Sequence, residues 1–122
     1  LTIEGGTLSA KTATEGGNMN VYASSLLMLR SGAMISTISK GKGNGANINV
    51  QAGFILVNPN GNNDITTNVI QDNGGKIRIS SNAIFGLEKR PLPTGRSDIT
   101  VTSPALGNNN ININARNTFD QF

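Results

Sequence analysis

One phrase occurs four times in this chain, and its spacing restricts the fold more than any other feature. Gly16-Gly17-Asn18-Met19-Asn20-Val21-Tyr22-Ala23 is followed by Gly45-Ala46-Asn47-Ile48-Asn49-Val50-Gln51-Ala52 and by Gly74-Gly75-Lys76-Ile77-Arg78-Ile79-Ser80-Ser81. A degenerate copy reads Asn108-Asn109-Asn110-Ile111-Asn112-Ile113-Asn114-Ala115. The first apolar position moves from 19 to 48, 77 and 111, in steps of 29, 29 and 34 residues. Self-similarity at such a period marks a repeat architecture. Polar and aliphatic residues alternate within each phrase, as a strand with one buried face requires. A second apolar run follows each phrase: Leu27 and Leu29, then Ile55 and Val57, then Ile84. A third centres on Ile35, Ile65 and Ile99, with Leu8 at the same place in an incomplete first unit. Gly, Asn and Ser fill the intervals, as turns demand. No stretch carries a helical period with caps.

Three short strands in fixed order per unit predict a parallel β-solenoid. The expectation is one all-β domain over residues 1–122, with about four coils of about 29 residues each. Strands of successive coils would pair at about 4.8 Å, stacking like residues into ladders. The inward ladders would be Met19–Ile48–Ile77–Ile111, Val21–Val50–Ile79–Ile113 and Ile35–Ile65–Ile99. Asparagine, 18 residues of the chain, would stack outside: Asn18, Asn47 and Asn110 on one outer face, Asn20, Asn49 and Asn112 on another. Amides stacked in this way can hydrogen-bond from coil to coil. Lys76 and Arg78 interrupt both amide ladders.

Composition excludes several chemistries. The 122 residues include no Cys and no His, which removes thiolate nucleophiles, Ser-His triads, haem ligation and the usual zinc sites. No cofactor, no metal site and no enzymatic activity are expected. The net charge is +3, no run of basic residues makes a patch, and nucleic acid is not an expected partner. The longest apolar runs, such as Ser25-Leu26-Leu27-Met28-Leu29, fall far short of a membrane span. The chain opens at Leu1 without a signal peptide and reads as a mature product or a fragment of something longer.

Three places invite a functional reading. Asp64 and Asp98 fall at the same place in adjacent units, each just before an inward Ile, so their backbones would lie roughly 5 Å apart. Paired carboxylates serve glycoside hydrolysis and attract calcium. The local alternative is that each Asp ends a turn by binding backbone N–H groups. No aromatic platform for sugar accompanies them, and the preceding unit has Met34 at the same position. Asn58-Pro59-Asn60-Gly61 has the composition of a turn. The insertion Glu88-Lys89-Arg90-Pro91-Leu92-Pro93-Thr94-Gly95-Arg96 carries three of the ten basic residues and two of the four prolines. Loops on a rigid scaffold often bind partners, which makes Glu88, Lys89, Arg90 and Arg96 a candidate binding loop. Alternatively the insertion covers one side of the solenoid, with Leu92 packed down on it.

Asn82-Ala83-Ile84-Phe85-Gly86-Leu87-Glu88-Lys89-Arg90-Pro91, followed by Ser97-Asp98-Ile99-Thr100-Val101-Thr102-Ser103, resembles a recurrent block of filamentous-haemagglutinin-like exoproteins of cyanobacteria, the two-partner secretion type. Leu26-Leu27-Met28-Leu29-Arg30-Ser31-Gly32-Ala33-Met34-Ile35-Ser36-Thr37 is similar to the run that precedes that block. The likeness covers nearly the whole chain and departs from the family at Ala115–Phe122. It implies a right-handed parallel β-helix, exported through an outer-membrane pore partner, with a surface adhesion or matrix role.

The strand-like start Leu1-Thr2-Ile3 and the lack of a capping helix add an expectation about the ends. Open strand edges pair with whatever matches them, so the chain would be either an internal piece of a long β-helix or a subunit that stacks head to tail. The expected role is therefore a structural extracellular or cell-surface fibre or adhesin scaffold, with surface glycans as candidate ligands. The rival is a carbohydrate-binding or carbohydrate-cleaving β-helix of the tailspike or lyase kind.

Overall fold

Alternating side chains at 18–23, 47–52 and 76–81 can bury one face only if the backbone is extended, and it is. The computed structural model describes residues 1–12, 18–40, 47–69, 75–92, 94–102 and 111–119. They form ten strands and no helix: β1 (Thr2–Glu4), β2 (Thr7–Thr12), β3 (Asn18–Arg30), β4 (Met34–Ser39), β5 (Asn47–Val57), β6 (Asp64–Val69), β7 (Lys76–Phe85), β8 (Glu88–Lys89), β9 (Asp98–Thr102) and β10 (Ile111–Phe119). Two five-stranded sheets result, in the orders β1-β3-β5-β7-β10 and β2-β4-β6-β9-β8. Every pairing is parallel. From β1 to β7 the chain visits the two sheets alternately, so spatial neighbours lie a whole repeat apart in sequence.

The register stacks the repeat on itself. Met19 lies opposite Ile48, Ile48 opposite Ile77, and Ile77 opposite Ile111. Val21, Val50, Ile79 and Ile113 follow suit, as do Leu8, Ile35, Ile65 and Ile99 in the second sheet. Leu27, Leu29, Ile55, Val57 and Ile84 join the buried members of these ladders in one aliphatic cluster, against which Met19, Ile111 and Ile113 are partly buried, while Leu8 is exposed. Each such side chain contributes about 1.5–3 kcal/mol when fully withdrawn from water.

The strand count per unit differs from expectation. The first two strands of a unit run on as one element in β3, β5 and β7, giving two strands where three were expected. Within β3 the register slips between Ala23 and Leu26, so that Ser24 and Ser25 stand against Gly53 alone. This is a bulge, one extra residue that bends the strand. Glycine is required opposite it, because a Cβ on Gly53 would lie 2.5 Å from the Ser25 carbonyl oxygen. The long strands therefore have two limbs, residues 18–23 and 26–30 in β3 and their partners in register.

The chain leaves the first sheet through left-handed corners at Gly5, Ser31–Gly32 and Gly86. Gly86 (φ 83°) is pressed against the preceding unit, where a Cβ would lie 1.7 Å from the Val57 carbonyl oxygen. Asn58-Pro59-Asn60-Gly61 is a turn as expected: Gly61 N donates to the Asn58 carbonyl (3.1 Å), and Asn60 N to Asn58 Oδ1 (3.0 Å).

The insertion corrects two expectations. It does not cover a side of the stack with Leu92, which is 71% exposed. It doubles back to add β8 along the outer edge of β9, Glu88 opposite Asp98 and Lys89 opposite Ile99. That edge of the second sheet is therefore occupied at its start and not open.

Candidate functional site

Glu88, Lys89, Arg90 and Arg96 do not present themselves together. Arg90 N donates to the Ile99 carbonyl (3.0 Å), extending the β8 pairing by one residue. Its guanidinium turns inward. Nη1 donates to the Asp98 carboxylate and to the Ser97 carbonyl (2.8 Å), and Nη2 to Glu88 Oε2 (2.7 Å). Arg90 thus serves as an anchor for the loop. Glu88, Lys89 and Arg96 are exposed, with Glu88 partnered by Arg90. The Arg96 backbone N–H donates to Thr94 Oγ1 (3.0 Å).

Asp98 organises the loop. Fully buried, its carboxylate accepts from Arg90, from Thr94 N (2.6 Å) and from Thr94 Oγ1 (2.9 Å). Asp64 takes a different partner, the backbone N–H of Asp98 at 2.9 Å. Around them, Asn63 Oδ1 accepts from Ala33 N (2.8 Å), Asn63 N donates to Ser97 Oγ (3.0 Å), and Ser97 Oγ donates to the Asn58 carbonyl (2.6 Å). Burial pushes the Asp64 carboxyl above its ordinary value; the Asp98 N–H opposes this, the Asp98 charge adds to it, and Arg90 opposes it again. Asp98 fits the local reading, accepting from a backbone N–H four residues away, whereas Asp64 departs from it, its backbone donor lying 34 residues on in the next unit's strand. Hydrolysis needs both carboxylates at a substrate cleft, and the arrangement withdraws Asp98 from solvent altogether. Among the described residues no three carboxylates, His or Cys converge on one point.

The open surface lies on the other sheet. The outward columns of the first limb border two grooves of about 520 and 420 Å³. Asn18, Asn47 and Lys76 form one column; Asn20, Asn49, Arg78 and Asn112 form the next. The two Asn columns expected on different faces share one, being two residues apart on the same strands; Asn110 lies outside the described residues. Asn47 Nδ2 donates to Asn18 Oδ1 (2.8 Å), an amide stack of the expected kind. At the next step Lys76 N donates to Asn47 Oδ1 (3.1 Å).

The second groove is bordered by Tyr22, Gln51, Ser80 and Asn114, one column in register, and by Asn82 and Arg116 beside it. Tyr22 is 73% exposed. Lys76, Arg78 and Arg116 therefore share a surface, a basic patch that linear inspection does not reveal because its members are dispersed over 40 residues of chain. The signal was in the repeat: 78 and 112, like 82 and 116, differ by the 34-residue step that separates β7 from β10.

Among the described residues no helix is long and apolar enough to cross a membrane. Compared with protein families, with curated proteins and with solved structures, the chain matches none.

Proposed function

We propose that the chain is a section of a right-handed parallel β-helix of about four coils, serving as a rigid extracellular or cell-surface scaffold of the fibre or adhesin type. The observation that carries this reading is the register: from β3 to β7 the inward aliphatic residues face one another at a constant step of 29 along the first limb. A surface of that kind supplies length and stiffness by repetition, with each unit resting on its neighbours. The resemblance to filamentous-haemagglutinin-like exoproteins supports export through an outer-membrane pore partner, and supplies the handedness.

Assembly would proceed through strand edges. β8 occupies the outer edge of β9 at its start, whereas among the described residues β10 ends the first sheet with one neighbour. Head-to-tail pairing, or continuation into further coils of the same polypeptide, would use the β10 edge. The chain alone, followed by analytical ultracentrifugation and electron microscopy, should give unbranched particles of constant width that lengthen with concentration. A dispersed monomer across a wide concentration range would sink the stacking part of the proposal.

A further inference from the structure

We propose that the outer face of the first limb binds an anionic polysaccharide, one bearing carboxylate or sulfate groups, laid along the stacking direction. Only the parallel register of the strands is needed for this, not assembly into a fibre. Charge is the first argument. β3, β5, β7 and β10 contain no Asp or Glu, while Lys76 and Arg78 stand on this face and Arg116 at its border, one residue beyond the limb. Both ion pairs among the described residues belong to Arg90, so these three cations have no internal carboxylate partner there. Like charges on one surface sum to a field that attracts an oppositely charged polymer. Arginine adds geometry, since its planar fork donates two parallel hydrogen bonds to a carboxylate or sulfate.

Shape and chemistry narrow the occupant. The face carries two shallow, open depressions, and its remaining side chains are amides and hydroxyls that can both donate to and accept from sugar hydroxyls. Tyr22 offers an exposed ring for the apolar face of a sugar, with a phenolic tip for hydrogen bonding. Tyr22 and Asn114 are three strand steps apart in one column, about 14 Å, a length that suits several sugar rings in series. A repeating face also suits a repeating ligand. Single-stranded nucleic acid, the other anionic polymer, is read by successive aromatic platforms, and here one Tyr stands alone among the described residues of the face.

The test is binding of the chain to polygalacturonate, with dextran and a thymidine oligonucleotide as comparators. Polygalacturonate should bind, with affinity that falls as salt rises, and dextran should not. Arg78→Gln and Arg116→Gln should each weaken binding roughly fivefold, the scale of one exposed charge pair. Tyr22→Ala should weaken it as well, and Lys40→Gln should leave it unchanged. Circular dichroism of each variant should match the parent, because all of these side chains are exposed. No binding to polygalacturonate, binding indifferent to both arginine substitutions, or tighter binding of the oligonucleotide would each overturn the proposal.

Discussion

The backbone N–H of Asp98 donates to the carboxylate of Asp64 at 2.9 Å, across 34 residues of chain. One aspartate thereby ties the next unit's strand to its own, while the second aspartate ties down the insertion. Adjacent carboxylates in register could have formed an acid pair. The backbone instead inserts a donor between their roles, and Arg90 and Thr94 take up the second carboxylate.

Asp64 should make the fold pH-sensitive in an identifiable direction. Its carboxyl is raised above 3.8, mainly by burial, so the native state holds the proton more tightly than the unfolded chain. Stability from this group is fully present below the unfolded value and is lost as pH rises through the folded one. Asp64→Asn keeps an oxygen to accept from Asp98 N–H and removes the charge. The variant should melt above the parent at neutral pH, and the gap should close as pH falls toward 3.8. A gap that stays constant with pH would refute the assignment.

Arg90 is the second lever. Its side chain is 15% exposed and that of Asp98 is 0% exposed, so Arg90→Met strands a buried charge. Removal of one partner of a buried pair costs about 3 kcal/mol. Denaturant unfolding should show a loss of that order, partly recovered by adding Asp98→Asn. Amide exchange should show lost protection at residue 90, whose N–H binds Ile99. Unchanged protection there would mean that β8 holds its place without the anchor.

The aliphatic ladders were legible because burial imposes like residues at a fixed step, and Met19, Ile48 and Ile77 record it. The two-strand outline was less so. Whether residues 23–26 break a strand or bend it depends on one bulge residue and on Gly53 opposite, neither of which alters the apolar period. β8 was not legible, since two residues carry no alternation and Glu88-Lys89 owes its pairing to the chain's return along β9. Arg90 has the composition of a solvent-facing loop cation; only the buried carboxylate eight residues on draws it inward. Lys76 and Arg78 register in the sequence as flaws in the Asn columns. Their consequence, a shared face with Arg116, follows once the 34-residue step is applied to charges as well as to aliphatics.

Thr37 and Thr67 are fully buried and their hydroxyls have no hydrogen-bond partner. They face each other in register, and Val101 follows Thr67 in the next strand. An unpaired buried hydroxyl is a desolvation cost of about 1–3 kcal/mol, so Thr67→Val, nearly equal in volume, should be neutral or should stabilise by about 1 kcal/mol. Thr100 provides the contrast, being just as buried but bonded through its hydroxyl to Thr66 Oγ1 at 2.9 Å. Thr100→Val should therefore destabilise by about 1 kcal/mol. Thermal unfolding of the two variants side by side reads the difference directly. Equal losses for both would mean that the Thr67 hydroxyl has a partner after all.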